Sequence, residues 1–222
     1  MRLFTYVLIC LAVVNCYGQK NYKTNLEIFD SIITAGFENV LYHPEVDRNI
    51  GFVFVIHQND SIKSDNGKKL SNNQVSRYLK NIIKKVANSE KIIFGFVNDE
   101  SEIKMDSIYN LCILTPFIMS TKYNGFAKNK FLGEKTINRN IIVKISVNTS
   151  SSDGKIKFNN FIQSNYRDDV DLDNYEYIES SEYGFARSDP PEISEFESIV
   201  FPALLVLLSA GATVLFFIIR TK

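Results

Sequence analysis

Histidine is the commonest general base and metal ligand, and this chain holds only two, His43 and His57. His43 precedes Pro44 in an expected helix-to-strand turn and His57 closes an expected strand. Neither stands four residues from a second ligand on a helix, and neither falls into metal-ligand spacing with Cys112. Cys112 lies in Leu-Cys-Ile-Leu, where a small buried hydrophobe is expected rather than a nucleophile. Asp169, Asp171 and Asp173 alternate as in a calcium loop, but the central glycine and the distal bidentate glutamate are missing in register. A phosphate-cradling glycine loop, a dinucleotide fingerprint and a serine elbow are all absent from the sequence. No catalytic residue, metal ligand or cofactor is therefore assigned.

One segment could make contacts instead. Lys122, Tyr123, Phe126, Lys128, Lys130, Phe131, Lys135 and Arg139 interleave cations with aromatic rings around Gly125 and Gly133. Such a segment suits an anionic polymer or lipid head group, and equally a solvated hairpin tip. It is the candidate interaction surface. Nucleic acid is not an expected partner, because 25 Lys+Arg balance 25 Asp+Glu and leave no net charge to steer it.

Both ends of the chain speak of a membrane. Arg2, the apolar run 3–14 and Asn-Cys-Tyr-Gly before Gln19 follow the plan of a cleavable signal peptide over 1–18. Acylation of Cys16 is the competing reading, and Asn15 directly before it argues against that. Residues 201–219 are nineteen without a charge, enough at ~1.5 Å each to cross one hydrocarbon core. Arg220 and Lys222 follow the run while Glu192, Glu195 and Glu197 precede it, so the expectation is a single-pass protein with an exported domain and a cytoplasmic tail over 220–222. A removable glycolipid-anchor signal would be expected to end apolar, not in Arg-Thr-Lys. Ser209 and Gly211 would let a second membrane helix approach closely, although such residues are ordinary in membrane helices. Cys10 and Cys16 fall within the signal, which leaves Cys112 alone in the mature chain and rules out an intramolecular disulfide there. That favours a bacterial periplasm over an animal cell surface.

The elements between the ends are read from periodicity. Thr24 and Glu27 form a capping box ahead of Leu26, Phe29, Ile33 and Phe37, predicting a helix over 25–41. Ser71 and Gln74 form a second, and the stripe Val75, Leu79, Ile82, Val86 predicts a helix over 72–88. Short apolar runs at 50–56 and 92–97 flank that helix and predict a βαβ unit with parallel strands. Pro116 interrupts the run 108–119 and predicts an edge, a bulge or a break. Ile141, Val143, Ile145 and Val147 alternate with Lys144 and Ser146, and Asp153-Gly154 turns the chain toward Ile156 and Phe158, predicting a long hairpin. The exported domain, 19–166, is therefore expected to be α+β, a mixed sheet with one βαβ unit and two covering helices. Residues 167–197 carry eleven carboxylates against two arginines and include Pro190-Pro191, so 167–200 is expected to be an acidic stalk. A sharper possibility is that it folds back onto the cations at 122–139.

The order helix, strand, helix, strand, then long antiparallel strands over about 25–166 resembles small α/β accessory modules of bacterial envelope assemblies, of the curli-secretion and penicillin-binding-protein-activator type. The resemblance is one of element order and matches no motif residue. Those modules are usually lipid-anchored at the N-terminus, from which the C-terminal helix departs. The resemblance implies a non-catalytic, membrane-anchored interaction or assembly module with an envelope protein partner. The alternatives are a tethered enzyme using carboxylates of 168–182, or a ligand-binding ectodomain that signals through another protein.

Overall fold

The computed structural model describes residues 21–57, 72–103, 108–128, 135–152, 156–179, 181–191 and 201–220. The signal at 1–18, Ser71 of the second capping box and the 153–155 turn lie outside them. Helix α1 (Asn25–Leu41) starts as read: Thr24 Oγ1 accepts from Glu27 N at 3.2 Å and Glu27 Oε2 accepts from Thr24 N at 2.7 Å. It stops at Tyr42, just ahead of His43-Pro44, because a residue before proline is pushed out of the helical region. Its buried stripe is Ile28, Phe29, Ile33, Phe37 and Val40.

Strand β1 (Gly51–Ile56) leads to helix α2 (Asn72–Ser89), which buries Val75, Tyr78, Leu79, Ile82, Ile83 and Val86. Lys91 ends α2 in the left-handed region, φ 57°, with Ile92 N donating to Ala87 O at 2.9 Å and Lys91 N to Asn88 O at 3.2 Å. This is a Schellman stop with lysine where glycine is usual, and burial of Ile92 against the core compensates for the strain. Strand β2 (Phe94–Val97) then pairs parallel with β1, completing the βαβ unit.

Strands β3 (Tyr109–Lys128), β4 (Lys135–Ser151) and β5 (Ile156–Asp171) are long and consecutively antiparallel. The sheet runs β2-β1-β3-β4-β5, with β3 parallel to β1. Pro116 makes a bulge: β3 continues through it with a register shift between Pro116 and Ile118. It is tolerated in a central strand because β1 has already ended. His57 N donates to Leu114 O at 2.9 Å, and Pro116 lies beyond that last bond.

The fold is mixed α+β as expected, with α1 and α2 sharing one core against one face of the sheet. Alternation puts Cys112, Leu114, Met119, Ile141, Val143, Ile145, Val147 and Ile162 on that core face. Gly36 brings α1 against β5. A Cβ there would fall inside contact distance of Ile162 Cγ2 and stand 3.0 Å from Cγ1.

The stalk expected from 167 onward is corrected. Residues 167–171 complete β5, a 3-10 turn covers Leu172–Asn174, helix α3 takes Tyr175–Ile178, and 181–191 return over the domain. Ile178 joins Tyr123, Ile137 and Val170 in a second apolar cluster, while Tyr183, Phe185 and Ala186 enter the main core. The Phe185 ring centroid lies 5.0 Å from that of Phe29 and 4.9 Å from that of Tyr78, so the segment plugs the space between the helices. Burying these rings at about 1.5–3 kcal/mol each outweighs repulsion among carboxylates that mostly stay at the surface. Residues 192–200 lie outside the described part, and helix α4 spans Phe201–Arg220.

Candidate functional site

The structure divides the basic-aromatic segment. Tyr123 and Arg139 face the core and are buried, Arg139 completely. They are withdrawn from any surface because odd-numbered residues of β4, and those of β3 after the bulge, point beneath α1. Lys122, one residue out of phase, takes the opposite face. Phe126 and Lys135 come together near the far end of the hairpin, Lys135 Nζ lying 5.9 Å from the ring centroid. Lys130, Phe131 and the side chain of Lys128 lie outside the described residues.

Arg139 is instead the centre of a buried polar clasp. Its Nε and Nη2 donate to Asp168 Oδ1 and Oδ2 at 2.8 and 2.6 Å, across the β4–β5 pair. Its Nη1 donates to Lys23 O at 2.7 Å and to Asn25 Oδ1 at 3.0 Å. Asn25 Nδ2 donates onward to Tyr123 Oη (2.8 Å), Glu179 Oε1 (2.8 Å) and Ala186 O (2.9 Å). Tyr123 Oη donates to Glu179, which also accepts from Ser188 N at 3.2 Å. Burial raises the Glu179 carboxyl above the usual carboxylate range, against the pull of its donors Tyr123, Ser188 and Asn25. Burial and Glu179 together hold the Tyr123 phenol well above its ordinary value. The clasp ties the start of α1, β3, β4, β5 and the returning segment at one point. The expected fold-back of acidic residues onto Arg139 takes this form.

The other chemical candidates have structural partners. Asp169 accepts from Asn138 Nδ2 at 3.1 Å, and Asp171 from Tyr22 Oη at 2.8 Å. Burial pushes the Cys112 thiol up to about 12, and its Sγ lies 3.4 Å from Thr149 Oγ1. His57 Nε2 sits 3.5 Å from Glu100 at the surface, and His43 Nδ1 accepts from Glu45 N at 3.3 Å. Among the described residues no three His, Cys, Asp or Glu side chains gather as metal ligands.

A surface that sequence reasoning missed lies along β5. Topology makes β5 the sheet edge, and a groove of about 320 Å³ opens between it and α1, lined among others by Ile32, Ala35, Asn39, Asn160 and Gln163. Phe161 N is held by the side chain of its neighbour, Asn160 Oδ1, at 2.7 Å. That N–H therefore faces away from β4, and with it the odd-numbered backbone groups of the strand. The open face beside it exposes Phe117, Ile118 and Phe161, with Lys144 Nζ 5.1 Å from the Phe161 ring centroid. The Asn- and Gln-rich odd positions of 159–165 were the available signal.

Helix α4 is long and apolar enough to cross a membrane and is exposed along its described side chains. Ser209 and Gly211 lie in it. Ser209 O accepts from Thr213 Oγ1 at 2.8 Å, and a Cβ at Gly211 would meet nothing.

No protein-family model matches the chain, and no curated protein does. Among solved structures, a Helicobacter pylori chain described as a neuraminyllactose-binding hemagglutinin homolog is similar at 13% identity and a TM-score of 0.38. That likeness covers 57% of this chain and 69% of the other.

Proposed function

We propose that the chain is a membrane-anchored, non-catalytic interaction or assembly module of a bacterial cell envelope. In this reading the signal over 1–18 exports the α+β domain, α4 spans the membrane, and Arg220 and Lys222 stay on the cytoplasmic side. The observation that carries it is α4, an unpacked apolar helix joined to a domain whose own core is already complete. A helix with no polar face and no protein cover is matched by lipid. The clasp supports a binding rather than a catalytic role, since its carboxylates and its guanidinium are spent on holding elements together.

The test is a cross-linked pull-down from native membranes, using a tag after Gln19, with alkaline extraction and external protease on the same membranes. The reading expects the chain in the extracted pellet, the domain cut only from the exported side, and a stoichiometric protein in the cross-linked product. Release into the alkaline supernatant overturns the anchor. Recovery of the chain alone, as a monomer, overturns the module.

A further inference from the structure

A free strand edge is a row of unpaired donors and acceptors, and proteins usually blunt one with proline, bulges, lysine or a short strand. The described part of β5 shows none of these. From Phe158 to Asp171 it pairs with β4 in unbroken register, it contains no proline or lysine there, and its sixteen residues make it far longer than the opposite edge, β2, with four. Only the Phe161 N–H has a side-chain cap of its own. What such an edge recognises is extended backbone.

We infer that β5 pairs antiparallel with β5 of a second copy of this chain, about a two-fold axis at Ser164, joining two five-stranded sheets into one. This rests on the reading of the domain as an interaction module and names its partner. Charge and shape along the strand single out the occupant. In this register Phe161 stands opposite Arg167 of the second copy, Asn159 opposite Asp169, and Gln163 opposite Asn165, each pair occurring twice. On the helix side Ile162 faces Tyr166, and Ser164 faces its own counterpart. No two like charges meet. Sliding the axis to Asp168 would set that carboxylate against itself.

The helices fit the same axis. α1 packs over β4 and β5, so a sheet continuing at ~4.8 Å per strand brings a second α1 alongside the first at roughly 8–10 Å. The α1 residues on that side, Ser31, Ala35 and Asn39, are exposed and short enough for such an approach. The groove between α1 and β5 is uncharged along its whole lining, as a contact between identical surfaces requires. Anchoring both copies in one membrane raises their effective concentration, so a modest contact suffices.

The test uses the full chain in native membranes with Cys10 and Cys16 changed to serine, which leaves only the buried Cys112. Ser164→Cys places two thiols across a non-hydrogen-bonded antiparallel pair, where Cβ atoms stand about 4.5–5.5 Å apart and a disulfide closes readily. Under a mild oxidant it is expected to form a covalent dimer at least about tenfold faster than Lys144→Cys, a change on the neighbouring strand that serves as the collision control. Adding Gln163→Pro, which removes an N–H facing the free edge, is expected to return Ser164→Cys to the control rate while far-UV circular dichroism stays unchanged. Equal rates for the two cysteines overturn the self-pairing. A photo-cross-linker at Asn165 that captures a different protein also overturns it, yet leaves the interaction-module reading standing. Failure to form either product removes both.

Discussion

Gly36→Ala tests the packing that positions β5. In an exposed helix the change would stabilise by about 1 kcal/mol, since alanine is the better helix former. Here the new Cβ falls on Ile162, inside contact distance of Cγ2, 3.0 Å from Cγ1 and 3.1 Å from Cβ. Ile162 cannot swing clear, because a β-branched side chain is stiff at χ1 and its backbone is pinned opposite Ile145. Overpacking of this kind costs about 1–3 kcal/mol, so the net expectation is a loss of about 1 kcal/mol or somewhat more. The decisive readout is the sign of the same change in an Ile162→Ala background, where Cγ1 and Cγ2 are gone. There Gly36→Ala is expected to be neutral or stabilising by up to about 1 kcal/mol, giving a favourable coupling of about 1–3 kcal/mol in the double-mutant cycle. The assay is urea unfolding of the detergent-solubilised chain followed by far-UV circular dichroism, the chain having no tryptophan. Additive effects, or stabilisation by Gly36→Ala alone, would refute the close helix–strand approach.

Two further outcomes test the clasp. Arg139→Ala should cost about 3 kcal/mol or more in the same urea assay, because it strands Asp168 and Asn25 without their donor, and Arg139→Lys should recover only part of that since lysine lacks the fork. A loss below about 0.5 kcal/mol, typical of a surface change, would place Arg139 outside the clasp. Glu179 has its carboxyl raised in the folded state, so it favours the fold below the ordinary carboxylate range, and that contribution is lost as pH rises through its raised value. Melting temperature measured across pH should therefore decline more steeply toward neutral pH in the natural chain than in Glu179→Gln, and parallel profiles would contradict the burial of that carboxyl.

The clasp also shows why part of the site was illegible. Tyr123 and Arg139 were grouped with Lys122 and Lys135 because aromatic and basic residues near glycines suit a surface loop. Whether a side chain reaches the core or solvent depends on strand phase, and a single bulge at Pro116 resets that phase for the rest of β3. Local composition carries no record of such a shift. The acidic segment failed for a related reason. Its charge was plain, but Tyr183 and Phe185 could be seen as plugs only once α1 and α2 had left a gap of their size.

Residues Thr24 to Glu27, the apolar stripes of α1 and α2, and the alternation of β4 determined those elements without help, because capping bonds and periodicity act within a few residues. The uncharged run of α4 did the same for a helix able to cross a membrane. Tertiary structure alone decided that β5 rather than β4 is the edge, that Gly36 lets a helix lie against it, and that Asp168 and Glu179 face inward to Arg139 and Tyr123. Each of these depends on contacts between residues far apart in the chain, whose pairing is selected by the packing of the whole core and not by any local preference.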